Sequence, residues 1–255
     1  MPRTLVILLH AWAGAPTGLN EVAATLRQII PSADLLTPAY PAEWHSSANP
    51  AHLAANLAQK IATAFAAHPY EETLLIGHSL GGLLLTKAFL YAAGAITDLP
   101  IPHCSLQPTW QPWSHSVKRI ILFAGLLHGW TLPWNGRHLR LAKWLAFKTL
   151  ATLATPTFIP LGPARLIASV REKSSFVNRL PSQWTSLAHT RTMPTITQLH
   201  GDQDELLAPQ NILAPIPPIR YIKVPNAAHE TIVQFAADES RRALFIKALN
   251  AKTPF

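Results

Sequence analysis

The chain has 255 residues, of which 49% are hydrophobic, so it can bury the core of one or two domains or of one domain with an inserted lobe. No apolar run approaches the roughly 18 residues that a membrane-spanning helix needs. The formal net charge is +8, but no zinc-finger or RNA-binding signature accompanies it, so nucleic acid is not an expected partner. The single cysteine, Cys104, excludes an internal disulfide, and we expect a cytoplasmic protein.

Short apolar runs alternate with helical patterns along the first part of the chain, which is typical of a parallel sheet with helices on both faces. Asn49 is the expected N-cap of one of these helices, because its side chain can accept a backbone N–H. The predicted elements are strands over Thr4–Leu9, Ala33–Thr37 and Thr73–Ile76, and helices over Gly18–Ile30, Asn49 to about Ala67, and Leu80–Ala93.

The start of the chain superficially imitates a secretory leader, because Arg3 precedes the apolar run Leu5–Leu9 and the small residues Ala13-Gly14-Ala15. That run is shorter than the roughly 7–15 residues of a leader's apolar region. We therefore expect these residues to form the first strand and the loop after it.

The alternation is interrupted in the second half of the chain. The segment Asp98–Ser116 is rich in Pro, Trp, His and Ser without a period, and it predicts a loop. Further elements are predicted as strands over Val117–Phe123, Thr195–Leu199 and Ile219–Val224, and as a last helix from about His229 to Asn250. Helical patterns and prolines fill the stretch between the first two of these strands. We therefore expect a core of residues 1–125 and 193–255 that carries an inserted helical lid of residues 126–192.

The pattern G-x-S-x-G is matched by Gly77-His78-Ser79-Leu80-Gly81, and the predicted elements on both sides of it support its significance. A predicted strand leads directly into it and a predicted helix leads directly out, which describes a sharp elbow that exposes the serine hydroxyl above the sheet. The glycines avoid side-chain clashes across the turn, and the helix N-terminus points N–H groups at a developing anion. We interpret Ser79 as a nucleophile.

A serine hydroxyl is a weak nucleophile unless a base removes its proton. In this arrangement the acid and then the histidine follow the serine along the chain. His229 comes just after the last predicted strand, where the base is required, and Glu230 beside it is expected to point elsewhere. We interpret His229 as the base.

Elimination narrows the choice of the acid that orients this histidine. Glu172 is the one carboxylate between Asp98 and Asp202, and it lies deep in the insertion. The remaining candidates follow the strand Thr195–Leu199 and are Asp202, Asp204 and Glu205. Such an acid fixes the tautomer of the imidazole and stabilises the imidazolium.

Two backbone N–H groups are expected to stabilise the oxyanion of an acyl-transfer reaction. One comes from the residue after the nucleophile and the other from the loop after the first strand. Leu80 and Trp12 occupy these positions. His10 is interpreted as a structural hydrogen-bonding residue of the same loop.

The motifs together resemble those of esterases and lipases with the α/β-hydrolase fold, from residue 4 to about residue 250. His10–Gly14 is similar to the H-G-x-x-G loop of that superfamily, with Ala11 where glycine is usual, and Gly201–Asp204 resembles its G-x-x-D loop. The resemblance favours Asp204 as the acid. It implies hydrolysis of a small-molecule ester through an acyl-serine intermediate, without a cofactor.

The insertion carries much of the protein's charge, because residues 137–191 contain nine Lys or Arg and one acidic residue. An amphipathic lid helix with a solvated basic face is one interpretation; a surface for acyl groups or anionic lipid, with weak membrane association, is the other. An apolar lid pocket, and hence a hydrophobic acyl group, is indicated by Trp130, Trp134, Trp144, Phe158 and Trp184.

Two alternative hypotheses accompany this interpretation. The same catalytic groups could act on a thioester, an amide or a carbon–carbon bond, and the fold could serve a non-catalytic binding protein. A metal site is not expected, because the spacing of the possible ligands matches no zinc pattern. Those possible ligands are His103, Cys104, His115 and His128.

Overall fold

The computed structural model describes residues 3–99, 110–130, 165–207, 216 and 219–251. Its centre is a six-stranded sheet in the order β2-β1-β3-β4-β5-β6, with every neighbouring pair parallel. The strands are β1 (Thr4–Leu9), β2 (Asp34–Leu36), β3 (Glu72–His78), β4 (Val117–Phe123), β5 (Thr195–Gly201) and β6 (Ile219–Val224). The predicted α/β class with a parallel sheet is confirmed.

Helices lie in the connections between successive strands from β1 to β5, as is usual for crossovers between parallel strands. Within the described ranges they are α1 (Asn20–Ile29), α2 (Pro50–Ala66), α3 (Leu80–Ala92), α4 (Trp113–Ser116), α5 (Arg165–Ser169), α6 (Ser175–Asn178), α7 (Leu180–Ala188) and α8 (Glu239–Asn250). Asn49 caps α2 as predicted, since its side-chain oxygen accepts the N–H of Ala51 at 2.9 Å. None of the helices in these ranges is long and apolar enough to cross a bilayer.

Several element ends differ from the sequence-based prediction by one or two residues, and two predictions are wrong by more. The last helix begins at Glu239 and not near His229, because Asp238 provides its N-cap by accepting the N–H of Ser240 at 2.9 Å. The apolar residues before Glu239 are spaced as in a helix. In the structure they are buried, but they belong to an irregular segment that contains one 3-10 helix, Thr231–Val233. The predicted loop before β4 is also wrong over α4, which buries Trp113 completely.

The described part of the insertion packs against the core. Trp184 on α7 is 2% exposed and lies beside Phe89 of α3, with 6.1 Å between the ring centroids. Trp130 is 4% exposed and donates its indole N–H to the carbonyl oxygen of Ile167 at 2.6 Å. The basic stretch of residues 137–164 and the aromatic residues Trp134, Trp144 and Phe158 lie outside the described residues. The predicted lid therefore stays a prediction.

A buried polar cluster joins α3 to α7. The Lys87 ammonium of α3 is fully buried and donates to Gln183 of α7 at 2.7 Å and to Asp98 at 2.8 Å. The hydroxyl of Tyr91 also donates to Asp98, at 2.6 Å. Burial lowers the pKa of Lys87 to about 8, so the ammonium is still charged at neutral pH and the ion pair persists.

Replacing Lys87 with Met should destabilise the protein by about 3–5 kcal/mol, because it removes the buried cation that pairs closely with the buried carboxylate of Asp98. Urea denaturation followed by tryptophan fluorescence measures this loss. Arg179→Met is the matched control, since that side chain is 59% exposed and stands 3.9 Å from the same carboxylate. An exposed pair contributes little, so equal losses in the two variants would contradict the assignment.

Candidate active site

Ser79 stands at the sharp turn between β3 and α3 with φ 54° and ψ −122°, a conformation that few residues other than glycine adopt. The turn is tight enough that a Cβ on Gly77 would overlap the backbone of Gly82. A Cβ on Gly81 would overlap the carbonyl oxygens of Leu9 and His10. Both glycines of the G-x-S-x-G pattern are therefore required by close backbone packing.

Backbone hydrogen bonds hold the strained serine in place. Its N–H donates to the carbonyl oxygen of Phe123 at the end of β4, at 2.9 Å. Its own carbonyl oxygen accepts the N–H of Gly82 at 3.0 Å and that of Leu126 at 3.3 Å. The side chain consequently projects above the carboxyl edge of the sheet, where loops in this architecture carry functional groups.

The structure brings Ser79, His229 and Asp204 into one chain of hydrogen bonds. The Ser79 hydroxyl donates to Nε2 of His229 at 2.8 Å. Nδ1 of the same ring donates to the Asp204 carboxylate, at 2.9 Å to Oδ2 and 3.1 Å to Oδ1. The side chains of His229 and Asp204 are only 4% and 2% exposed, so solvent screens this ion pair little.

The electrostatics of the buried pair favour its charged form. Burial alone lowers the pKa of His229, but the carboxylate of Asp204 more than offsets this and the pKa lies above its ordinary value. Burial raises the pKa of Asp204, yet the imidazole and the amides of Leu206 and Leu207 outweigh it and the pKa lies below its usual range. The ring is thus held ready to accept a proton.

The other acid candidates occupy different places. Oδ1 of Asp204 accepts the N–H groups of Leu206 and Leu207 at 2.9 Å each, which fixes its orientation. Asp202 is directed instead towards Lys223, at 3.8 Å. Glu205 accepts the backbone N–H of His229 at 3.2 Å and so contacts the loop, not the imidazole.

The loop after β1 adjoins the serine turn, since only glycine at position 81 leaves room for the carbonyl groups of Leu9 and His10. Trp12 lies in this loop and Leu80 is the first residue of α3. His10 donates through Nδ1 to the carbonyl oxygen of Ala11 at 2.9 Å and stacks on Tyr40 at 4.5 Å, in keeping with a structural role. Positive φ falls at Ala13 and not at Ala11, so alanine at position 11 carries no left-handed strain.

His78 is a site residue that the sequence analysis missed. Its Nε2 donates to the carbonyl oxygen of His229 at 2.8 Å, and the two rings lie 5.4 Å apart. Burial, together with the nearby ring of His229, lowers the pKa of His78 to about 3, so this donor is neutral. The G-x-S-x-G pattern accepts any residue at this position. The one sequence signal for a role of His78 is its place directly before Ser79.

No cluster of three or more His, Cys, Asp or Glu side chains suited to a metal ion occurs in the part of the chain that the structure describes. His115 accepts a hydrogen bond from the indole of Trp110 at 2.9 Å. His103 and Cys104 lie outside the described residues.

A family model described as the alpha/beta hydrolase family matches residues 6–244. The chain belongs to the alpha/beta hydrolase family. Its sheet order, its serine turn and the order serine, acid, histidine along the chain agree with the resemblance seen in the sequence. No protein in a search of curated sequences matches the chain.

Solved structures of distant hydrolases share the fold of this family member. An extracellular alpha/beta-hydrolase from a Paenibacillus species is 14% identical, with 97% of this chain and 99% of that one covered and a TM-score of 0.53. A Bacillus licheniformis lipase in its mature form is 14% identical, with 96% and 91% covered and a TM-score of 0.59. Phospholipase PlaB from Legionella pneumophila is 13% identical, with 99% and 60% covered and a TM-score of 0.65.

The pKa of His229 provides a direct test of the buried pair. We expect it above 6.5 in the wild-type protein and lower in Asp204→Asn, because burial still acts on the ring while the carboxylate is gone. NMR titration of the histidine rings measures both values. Asp202→Asn is the control and should leave the titration nearly unchanged; a similar shift in both variants would contradict the pairing.

Proposed function

We propose that the protein is a serine hydrolase that cleaves carboxylic esters through an acyl-serine intermediate. The observation that carries the proposal is the continuous contact from the hydroxyl of Ser79 through the imidazole of His229 to the carboxylate of Asp204. Nucleophile, base and orienting acid in hydrogen-bond reach of one another form the arrangement that acyl transfer requires. Family membership and the esterase and lipase structures that share the fold support the reaction class.

In the acylation step, Nε2 of His229 takes the hydroxyl proton while Oγ of Ser79 attacks the ester carbonyl. The carbonyl oxygen becomes an oxyanion, which the backbone N–H groups of Leu80 and Trp12 stabilise in the proposed mechanism. When the tetrahedral intermediate collapses, the C–O bond to the alcohol breaks and the alcohol leaves with the proton from His229. The acyl group then remains on Ser79.

Deacylation repeats the same proton transfers with water. The neutral imidazole of His229 accepts a proton from a water molecule as that molecule attacks the acyl carbonyl. Collapse of the second tetrahedral intermediate breaks the bond to Oγ of Ser79, which regains its proton from the imidazolium. The products are a carboxylic acid and the free enzyme, so the cycle needs no external oxidant, reductant or cofactor.

We further propose a small-molecule ester with a hydrophobic acyl group as substrate. The support is the aromatic composition of the insertion between β4 and β5, which follows directly from the carboxyl edge where Ser79 stands. The basic composition of the same insertion supports weak association with anionic lipid. An intact serine, histidine and acid argue against a purely non-catalytic binding protein.

A fluorophosphonate probe should label the wild-type protein, and the label should disappear in Ser79→Ala.

Asp204→Asn should reduce ester turnover by roughly 10⁴-fold while leaving the fold intact. This is the size of loss known for the equivalent change in a serine protease. Hydrolysis of a p-nitrophenyl ester measures turnover, and circular dichroism checks the fold.

Asp202→Asn is the matched control in the same loop and should remain close to wild type, because Asp202 is directed towards Lys223. The reverse ranking of the two variants would refute the assignment of the acid. Unchanged labelling of Ser79→Ala would refute the nucleophile.

A panel of p-nitrophenyl esters of increasing chain length tests the proposed substrate class. Medium or long acyl chains should be cleaved faster than acetate, because a pocket lined by aromatic side chains gains free energy with each buried methylene. Shortening the insertion should erode this preference before it abolishes acetate cleavage. Acetate as the best substrate by a wide margin would contradict a hydrophobic acyl site.

A further inference from the structure

His229 is carried by an irregular segment between the end of β6 and the start of α8. The one helix in this fully described segment is the short 3-10 helix Thr231–Val233, and Asn226 has a φ of 54°. Within the segment, the N–H of Ile232 donates to the carbonyl oxygen of Ala228 at 3.2 Å and that of Gln234 to the carbonyl oxygen of Thr231 at 3.0 Å. Its other buried backbone groups need partners from other elements, which then help to fix the position of the histidine. Proton transfer demands tight positioning, since a displacement of about 1 Å can cost roughly 10²-fold in rate.

The guanidinium of Arg241, in the first turn of α8, spans this segment from one side of His229 to the other. Nη2 donates to the carbonyl oxygen of Asn226 at 2.7 Å, three residues before the histidine. Nη1 donates to the carbonyl oxygens of Thr231 at 2.8 Å and of Gln234 at 3.3 Å, on the far side. One planar group thus ties both flanks of the base to a helix.

Burial strengthens this link. The side chain of Arg241 is 8% exposed, and its nearest carboxylate, on Asp238, is 3.8 Å from Nε. The guanidinium is therefore directed mainly at backbone carbonyl groups, which accept charge-assisted hydrogen bonds in a water-poor environment. The fixed fork of donors fits several acceptors at once, whereas a lysine ammonium offers a single point charge.

We propose that Arg241 is a positioning residue for His229, an inference that rests on the proposed function. His78 and Glu205 hold the carbonyl and the N–H of the His229 peptide itself. Arg241 holds the chain on either side of that peptide, so that the ring meets Ser79 and Asp204 together. It is directed at the loop backbone, so its loss should lower kcat more than it raises KM.

Arg241→Lys tests the proposal, because it keeps the charge and removes the fork. Labelling of Ser79 by the fluorophosphonate probe and kcat on a p-nitrophenyl ester should both fall, by roughly 10- to 100-fold. KM should change far less. Arg242→Lys is the matched control and should behave as wild type, because that neighbour bonds Glu239 and Gln28 at the surface.

A spectroscopic readout separates positioning from general stabilisation. The far-downfield NMR resonance of the Nδ1 proton that His229 shares with Asp204 should weaken in Arg241→Lys and persist in Arg242→Lys. Added methylguanidinium should partly restore labelling in Arg241→Ala, since it can occupy the vacated site. Arg241→Gln should show the same losses, and it replaces the lysine variant if that variant does not fold.

Wild-type labelling and an unchanged Nδ1 resonance in Arg241→Lys, accompanied only by a lower Tm, would overturn the positioning role. Absence of any label on wild-type Ser79 would instead contradict the proposed hydrolase function. The Nδ1 resonance reports on the His229–Asp204 contact without any substrate, so the two failures are distinguishable.

Discussion

The strained backbone at Ser79 is the constraint around which the rest of the site is arranged. A left-handed φ at a residue other than glycine costs about 1–3 kcal/mol and persists only where the surroundings impose it. Here β4 supplies an acceptor for the serine N–H, and the loop after β4 donates back to the serine carbonyl. The carbonyl oxygens of Leu9 and His10, at the end of β1 and the start of the loop after it, pack closely against Gly81. Because the sheet is parallel, all these loops leave it at one edge. Several elements therefore contact the serine turn together and hold Ser79 in its strained conformation.

Much of this architecture was predictable from the sequence because it depends on short-range rules. The apolar runs gave the positions of β1 and β4 to the residue, and the side chain of Asn49 marked the start of α2. The spacing of glycines around Ser79 implied a tight turn, and the structure shows the backbone contacts that require them. Elimination of carboxylates left one loop for the acid, and Asp204 of that loop lies against His229.

Features that depend on contacts between distant parts of the chain were not predictable. The neutral ring of His78 contacts a residue 151 positions away, and no local pattern announces such a partner. Arg241 belongs to a helix whose start was misplaced, because the apolar residues before it fit a helical spacing as well as a buried irregular segment. Likewise, no local pattern around Lys87 indicates that its ammonium is buried, because its partner Gln183 lies on α7, 96 residues further along the chain.

The low pKa of His78 has a consequence for how the site responds to acid. Two imidazole rings 5.4 Å apart would ordinarily titrate as a coupled pair, with apparent constants that belong to neither ring alone. The pKa of His78 is about 3, whereas the pKa of His229 lies above the ordinary value for histidine. The two rings therefore take up their second protons at well-separated pH values. Protonation of His229 is thus a one-proton event on a single ring, and His78 provides no second imidazole to store or relay the charge.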